Sequence, residues 1–331
     1  MPLKPLADTI FSIKKPAIFE ELAMAVFRYQ ASANEVYKQY VTTLEIEPGS
    51  VDNSAQIPFL PIEFFKSRQI ISGEPPTAQT QVFTSSGTTQ SIQSRHYIPE
   101  LAMYEKSYRK GFELFYGSPE DYCILALLPS YMEREGSSLI YMMEDLIKRT
   151  KHSDSGFYLE NHADLIARLQ KLEASGQKTI LIGVTYALLD LLEKQKFQLK
   201  NTIIMETGGM KGKRQEMIRE ELHATLCEGF GVNAIHSEYG MTELLSQAYS
   251  KGNGIFNCPP WMKIIIRDVN DPFAILPPNR TGGINVIDLA NLNSCSFIAT
   301  QDLGKTHPDG SFEVLGRFDN SDIRGCNLLV Q

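Results

Sequence analysis

The chain has 331 residues, of which 43% are hydrophobic and 21% charged, enough for one large or two modest globular domains. Its 39 acidic residues outnumber 32 scattered basic ones, giving a net charge of −7. That balance argues against nucleic acid or an anionic membrane surface as partner. The first residues lack the charged start, long apolar core and cleavage site of a secretory signal, and no apolar run is long enough to span a bilayer. The expected setting is the cytoplasm. Five cysteines without CxxC spacing predict neither a disulfide framework nor a zinc site.

In chain order, residues 1–55 form a helical N-terminal segment, because apolar residues recur at three- and four-residue steps through 17–41. A Pro-punctuated connector, Ile57–Phe65, leads to a strand ending in "FTSSGTTQS", Phe83–Ser91. Residues 56–250 then alternate. Strands are expected at 122–129, 155–159, 178–184, 201–206 and 232–240, and helices at 101–116, 137–150, 162–175, 185–195 and 213–231. The first of these strands, "YCILALLP", is apolar on both faces, as parallel strands are. Alternation of this kind predicts an α/β fold with layered parallel sheets and flanking helices. From 251 to 331 the pattern changes to short strands joined by Pro, Gly and Asn turns, expected as a small β subdomain.

The loop after Phe83 is too polar for a core. Gly87 permits close backbone approach, and Thr84, Ser85, Ser86, Thr88 and Thr89 offer hydroxyl and N–H donors suited to anionic oxygens. It is no Walker A loop, since GxxxxGK[ST] is absent. Three further segments follow: "HSEYGMTEL" (His236–Leu244), "TQDLG" (Thr300–Gly304) and "GRFDNSDIRG" (Gly316–Gly325). Read singly, each has an ordinary explanation: Tyr239 as a core aromatic, Asp302 as a turn cap, Arg317 in a surface ion pair, His236 as a strand-end core histidine.

In this order the four segments resemble the core motifs of adenylate-forming enzymes. "LPSYMEREGSSLIYMM", "TGGMKGKR" and "IRGCNLL" make the chain resemble the acyl-protein synthetase (LuxE-type) branch, with phenylacetate–CoA ligases as the next relatives. The resemblance implies the fold of the large N-terminal domain of those enzymes, and ATP-dependent conversion of a carboxylic acid, a fatty acid in this branch, to an acyl-adenylate. It implies that Thr84–Thr89 hold phosphates and that Gly208, Gly209, Tyr239 and Gly240 flank adenine. Thr242 would bind the α-phosphate and Glu243 a Mg²⁺ ion. Asp302 would bind the ribose, with Arg317 beside it, and His236 would stand in the acyl or catalytic region. It further implies transfer of the acyl group to a thiol near the C-terminus, here Cys326, for delivery to a partner such as an acyl reductase or a carrier. From its residues alone Cys326 also reads as a buried structural cysteine in "CNLLV". Transfer to coenzyme A, and a nucleotide-binding protein without catalysis, are the competing readings.

Two departures stand out. Gln90 replaces the usual Gly and no Lys follows the loop, leaving Arg95 as the nearest charge there. The sequence ends at Gln331, just past the hinge motif, where the resemblance calls for a lid domain with a catalytic Lys; the expectation is that this lid is absent and that Lys211 or Lys213 substitutes.

Overall fold

The protein is described here by a computed structural model covering residues 3–85, 92–129, 136–208, 214 and 217–318. It forms two compact units, one of residues 1–80 with 260–331 and the other of residues 81–259.

The first unit opens with α1 (Leu3–Ile10), α2 (Pro16–Ala33) and α3 (Glu35–Thr43). Pro16 sits in the first turn of α2, where a missing N–H costs nothing, and Phe19, Leu22, Val26 and Phe27 supply its buried stripe. Asn34 divides α2 from α3. Its N–H closes the last turn on the Gln30 carbonyl (3.0 Å), and its side chain caps α3 by accepting from the Tyr37 N–H (3.0 Å). The Pro-rich connector then gives β1 (Leu60–Pro61) and α4 (Phe64–Ser67).

The second unit starts with an antiparallel pair, β2 (Gln81–Thr84) and β3 (Arg95–Ile98). There follow α5 (Leu101–Tyr116), β4 (Cys123–Leu127), α6 (Ser138–Thr150), β5 (Gly156–Phe157) and α7 (His162–Ser175). Next come β6 (Thr179–Val184), α8 (Thr185–Lys194), β7 (Thr202–Thr207), α9 (Arg219–Phe230) and β8 (His236–Tyr239). β9 (Ala248–Ser250) and β10 (Phe256–Asn257) finish it. Strands β5, β4, β6, β7 and β8 pair in parallel in that order, and β9 and β10 extend the sheet antiparallel. Every residue of β4 and β6 is buried, the consequence of helices on both faces.

The chain then returns to the first unit with β11 (Met262–Arg267), β12 (Gly282–Asp288), β13 (Phe297–Thr306) and β14 (Phe312–Arg317), an antiparallel meander on which β1 adds in parallel to β13. Its core is aromatic: Phe27, Tyr37 and Phe59 surround Phe297 with ring centroids 6.1–6.3 Å away.

The α/β class is the one expected. Within the first unit a buried polar network joins the N-terminal helices to residues 291–296. Gln30 Nε2 donates to the carbonyls of Asn291 (3.0 Å) and Leu292 (2.9 Å), and its Oε1 accepts from the Ser296 N–H (2.9 Å). Asn34 Nδ2 donates to the Ser294 carbonyl (3.0 Å) and Ser72 Oγ (3.2 Å). The helix expected from residue 213 begins at Arg219, with Ile218 extended. Strands β3, β9 and β10 carry too short an alternation to be read. No helix among the described residues is long and apolar enough to cross a membrane.

Asn34→Ala should lower unfolding free energy by about 1–3 kcal/mol, because it removes the cap on the Tyr37 N–H and one of the two hydrogen bonds to the buried Ser294 carbonyl, the other coming from Ser72 Oγ. Urea unfolding measures this, and a loss within error of zero would deny the network its role.

Candidate functional site

In open α/β sheets, ligands bind outside the carboxyl ends of parallel strands, where successive connections leave in opposite directions. Here β4 is followed by β5 on one side and β6 on the other, so that point lies at the ends of β4 and β6. The β2–β3 pair is tied to this edge. The Thr84 N–H donates to the carbonyl of Gly136 (2.7 Å), in the connection after β4. Ser85 closes the base of the polar loop: its N–H donates to the Ser94 carbonyl (3.1 Å), and its hydroxyl accepts from the Ser94 N–H (2.9 Å). Ser86, Gly87, Thr88 and Thr89 lie outside the described residues, as do Gly209, Lys211, Lys213 and Cys326. Arg95 is on β3 and exposed.

β8 ends in the "YGMTE" turn, closed by the Leu244 N–H on the Met241 carbonyl (3.1 Å). Glu243 in this turn is buried, and Thr242 half-buried. The link between this turn and the polar loop is a residue that sequence reading passed over. His96 on β3 is fully buried, and its Nδ1 donates to the carbonyl of Thr242 (2.8 Å). The loop-bearing hairpin and the Thr242–Glu243 turn are thereby held against each other, 146 residues apart in sequence.

Thr207 and Glu238 are register partners on β7 and β8, which sets Gly208 level with Tyr239. Gly208 has φ 61°, a left-handed conformation that favours glycine, and its carbonyl accepts from Thr185 Oγ1 (2.7 Å). The Tyr239 ring is buried and meets Phe256 edge-on at 6.0 Å, while Gly240 is exposed. His236 begins β8. Its Nδ1 is 3.2 Å from the Tyr116 hydroxyl, and burial, aided by the Lys251 charge, pushes its pKa down to about 4. The ring is therefore neutral at pH 7.

Two carboxyls, Glu206 buried and Glu238 half-buried, flank the ends of β7 and β8 on opposite faces. Glu206 accepts from Arg219 Nη1 (2.8 Å). Glu238 accepts from Thr207 Oγ1 (2.6 Å); burial pushes its pKa up to about 7, against the Thr207 hydrogen bond and with the added repulsion of Glu206.

In the other unit, Asp302 and Arg317 are register partners on β13 and β14, with Arg317 Nε 3.4 Å from Asp302 Oδ1. The Asp302 carboxylate is nearly buried and the Arg317 side chain 73% exposed, so solvent screens the pair and it adds little stability. A divalent cation of the Mg²⁺ type needs few protein ligands when phosphate oxygens complete its shell. The single carboxylate of Glu243 fits that demand. No cluster of three or more His, Cys, Asp or Glu side chains suited to an all-protein metal cage occurs among the described residues.

The ionisation of Glu238 is coupled to folding. Its folded pKa lies above the ordinary 4.5, so the fold favours the protonated form, and its contribution to stability is complete below about pH 4.5 and lost as pH rises to 7. Glu238→Gln cannot ionise. It should be more stable than the parent by about 1–3 kcal/mol at pH 8, with the gap closing near pH 5. Denaturation at both pH values checks this; a pH-independent gap would mean that Glu238 is ionised throughout.

No curated protein sequence matches the chain. Solved structures do. ATP-bound MatB from Rhodopseudomonas palustris superposes with a TM-score of 0.53 at 17% identity, over 71% of this chain and 47% of that one. A 2-hydroxyisobutyryl-CoA ligase, in complex with 2-HIB-AMP and CoA, superposes with a TM-score of 0.67 at 12% identity, over 92% of this chain and 69% of that one. The chain thus spans about half the length of MatB and shares the fold of these proteins. The family model of the LuxE acyl-protein synthetases matches residues 5–331, and the chain belongs to that family.

Proposed function

We propose that the protein activates a carboxylic acid with ATP and passes the acyl group to a thiol. In the first step a carboxylate oxygen attacks the α-phosphorus of ATP and the bond to pyrophosphate breaks. In the second a thiolate attacks the acyl carbonyl carbon and AMP leaves. Such catalysis is mainly positioning and neutralisation of developing charge. The loop Thr84–Thr89 receives the outer phosphates, Thr242 donates to the α-phosphate, and Glu243 holds Mg²⁺. Gly208, Gly209, Tyr239 and Gly240 border the adenine, Asp302 takes the ribose hydroxyls, and Arg317 adds a positive charge beside it. His236, neutral at pH 7, is assigned to the acyl side as a polar wall and not as a cation.

The observation that carries this reading is the His96–Thr242 bond, which holds two of the four motifs together at the carboxyl edge of a parallel sheet. Membership of the acyl-protein synthetase family supports it from the sequence side. The substrate proposed is a fatty acid, and the partner an acyl reductase or a carrier.

The acceptor proposed is Cys326. Three of the other four cysteines support this by their chemistry. Cys123 and Cys295 are fully buried, and burial pushes their thiols up to about 11 and about 12. Burial also raises Cys227. None of these three supplies the thiolate that acyl transfer needs near neutral pH.

Exchange of radioactive pyrophosphate into ATP across a panel of carboxylic acids tests the first step, and exchange with no acid at all would refute it. Glu243→Gln keeps the shape but removes the charge. Exchange should fall at least tenfold at limiting Mg²⁺ and recover partly at high Mg²⁺; unchanged exchange would take the metal away from Glu243. For the second step, Cys326→Ser should still exchange pyrophosphate but retain no hydroxylamine-labile acyl label. Full labelling of that variant would place the acceptor elsewhere, and release of acyl-CoA on adding coenzyme A would name a different thiol.

A further inference from the structure

β13 does not run evenly beside β12. Gly283 pairs with Leu303 and Asn285 with Ala299, so one residue of β12, Ile284, stands opposite three of β13, Thr300–Asp302. A bulge of this kind breaks the ladder and re-aims side chains. The main-chain groups it releases need other partners in a buried place, and here two side chains provide them. Arg267, at the end of β11, reaches across β12: Nη1 donates to the Ile284 carbonyl (2.8 Å) and Asn285 Oδ1 (2.7 Å), and Nη2 donates to the Thr300 carbonyl (2.5 Å). The Thr300 hydroxyl, 1% exposed, donates to the Ile284 carbonyl (2.9 Å) and accepts from the N–H of Asp302 (3.1 Å).

The arrangement is specific to these side chains. Only a planar guanidinium fork offers donors to three acceptors spread over two strands. Gly283 leaves room for it, since a Cβ there would lie 2.6 Å from Arg267 Cζ. Only a hydroxyl at position 300 both donates to one strand and accepts from the next residue but one. The last of these bonds ends on the main chain of Asp302 itself, one residue short of where the regular pairing with β12 resumes at Leu303.

We infer that Arg267 and Thr300 are positioning residues for Asp302: they hold the bulge that aims its carboxylate, and through it they set how strongly the protein prefers a ribose to a sugar without hydroxyls. The inference rests on the proposed role of Asp302 toward ribose.

The test compares binding of ATP with binding of 2′,3′-dideoxy-ATP, which lacks both hydroxyls, by calorimetry on the full chain, with circular dichroism confirming the fold of each variant. The parent should prefer ATP by at least about tenfold, and Asp302→Ala should abolish the preference. Arg267→Met and Thr300→Val should reduce it to within about threefold while leaving dideoxy-ATP affinity at the parental value, and Thr300→Ser should restore it. A purely structural contribution would weaken both nucleotides alike. Should Arg267→Met fail to fold, the Thr300→Val and Thr300→Ser pair decides. Parental preference in Arg267→Met and Thr300→Val, with its loss in Asp302→Ala, would overturn the inference and leave the ribose role of Asp302 standing. Parental preference in Asp302→Ala would overturn that role and the inference with it.

Discussion

The carboxyl ends of the parallel strands are fixed in place because the strands behind them are buried along both faces. β4 and β6 expose no residue, so neither can shift register or tilt without opening a void on one side or a clash on the other. What hangs on those ends inherits their rigidity: the Gly208 bend after β7 and the Met241–Leu244 turn after β8. The β2–β3 pair has no such support of its own, and a two-stranded ribbon is marginal in isolation. It borrows order from the sheet edge through Thr84 to Gly136 and His96 to Thr242, and from Phe83 packed at 5.4 Å on Tyr104 and 5.6 Å on Tyr141.

The same edge handles two carboxyls, buried Glu206 and half-buried Glu238, in different ways. Strand alternation sends Glu206 to one face of the sheet and Glu238 to the other, although their strands are neighbours. On the first face a guanidinium accompanies the carboxylate, so charge is kept and compensated. On the second the Thr207 hydroxyl donates to the carboxyl, which does not compensate a full charge, and the proton is retained more readily. Placing both as bare anions on adjoining strands would set unscreened like charges in a low-dielectric interior.

What the sequence disclosed and what it withheld follow from the distance over which each feature is encoded. Residues 101–116 carry an uninterrupted helical stripe and form α5 with those same ends. "YCILALLP" and "KTILIGV" are apolar runs bounded by turns, and they are buried parallel strands. "YGMTE" and "TQDLG" are contiguous in the sequence; the first is the turn after β8 and the second lies within β13. His96 was not legible, because its partner is the Thr242 main chain and no side-chain pattern points there. Arg267 and Thr300 escaped for the same reason: they serve backbone carbonyls across a bulge, and a bulge has no signature in a four-residue window. The bonds of Gln30 and Asn34 to residues 291–296 were hidden as well, because these side chains meet main-chain groups some 260 residues away.

The Gln30 and Asn34 bonds to residues 291–296 also dictate an order of events during synthesis. The apolar stripe of α2 leaves the ribosome early, but its cover, Phe297 with β11–β14, follows more than 200 residues later in sequence. The intervening residues 81–259 form a unit whose strands and helices are consecutive, so it can complete itself first. Contacts this far apart are slow to form, and the waiting stripe is exposed apolar surface of the kind chaperones bind. Fragments truncated before residue 260 would therefore lack β11–β14, the strands that share a unit with α2, and would leave the apolar stripe of α2 without that cover.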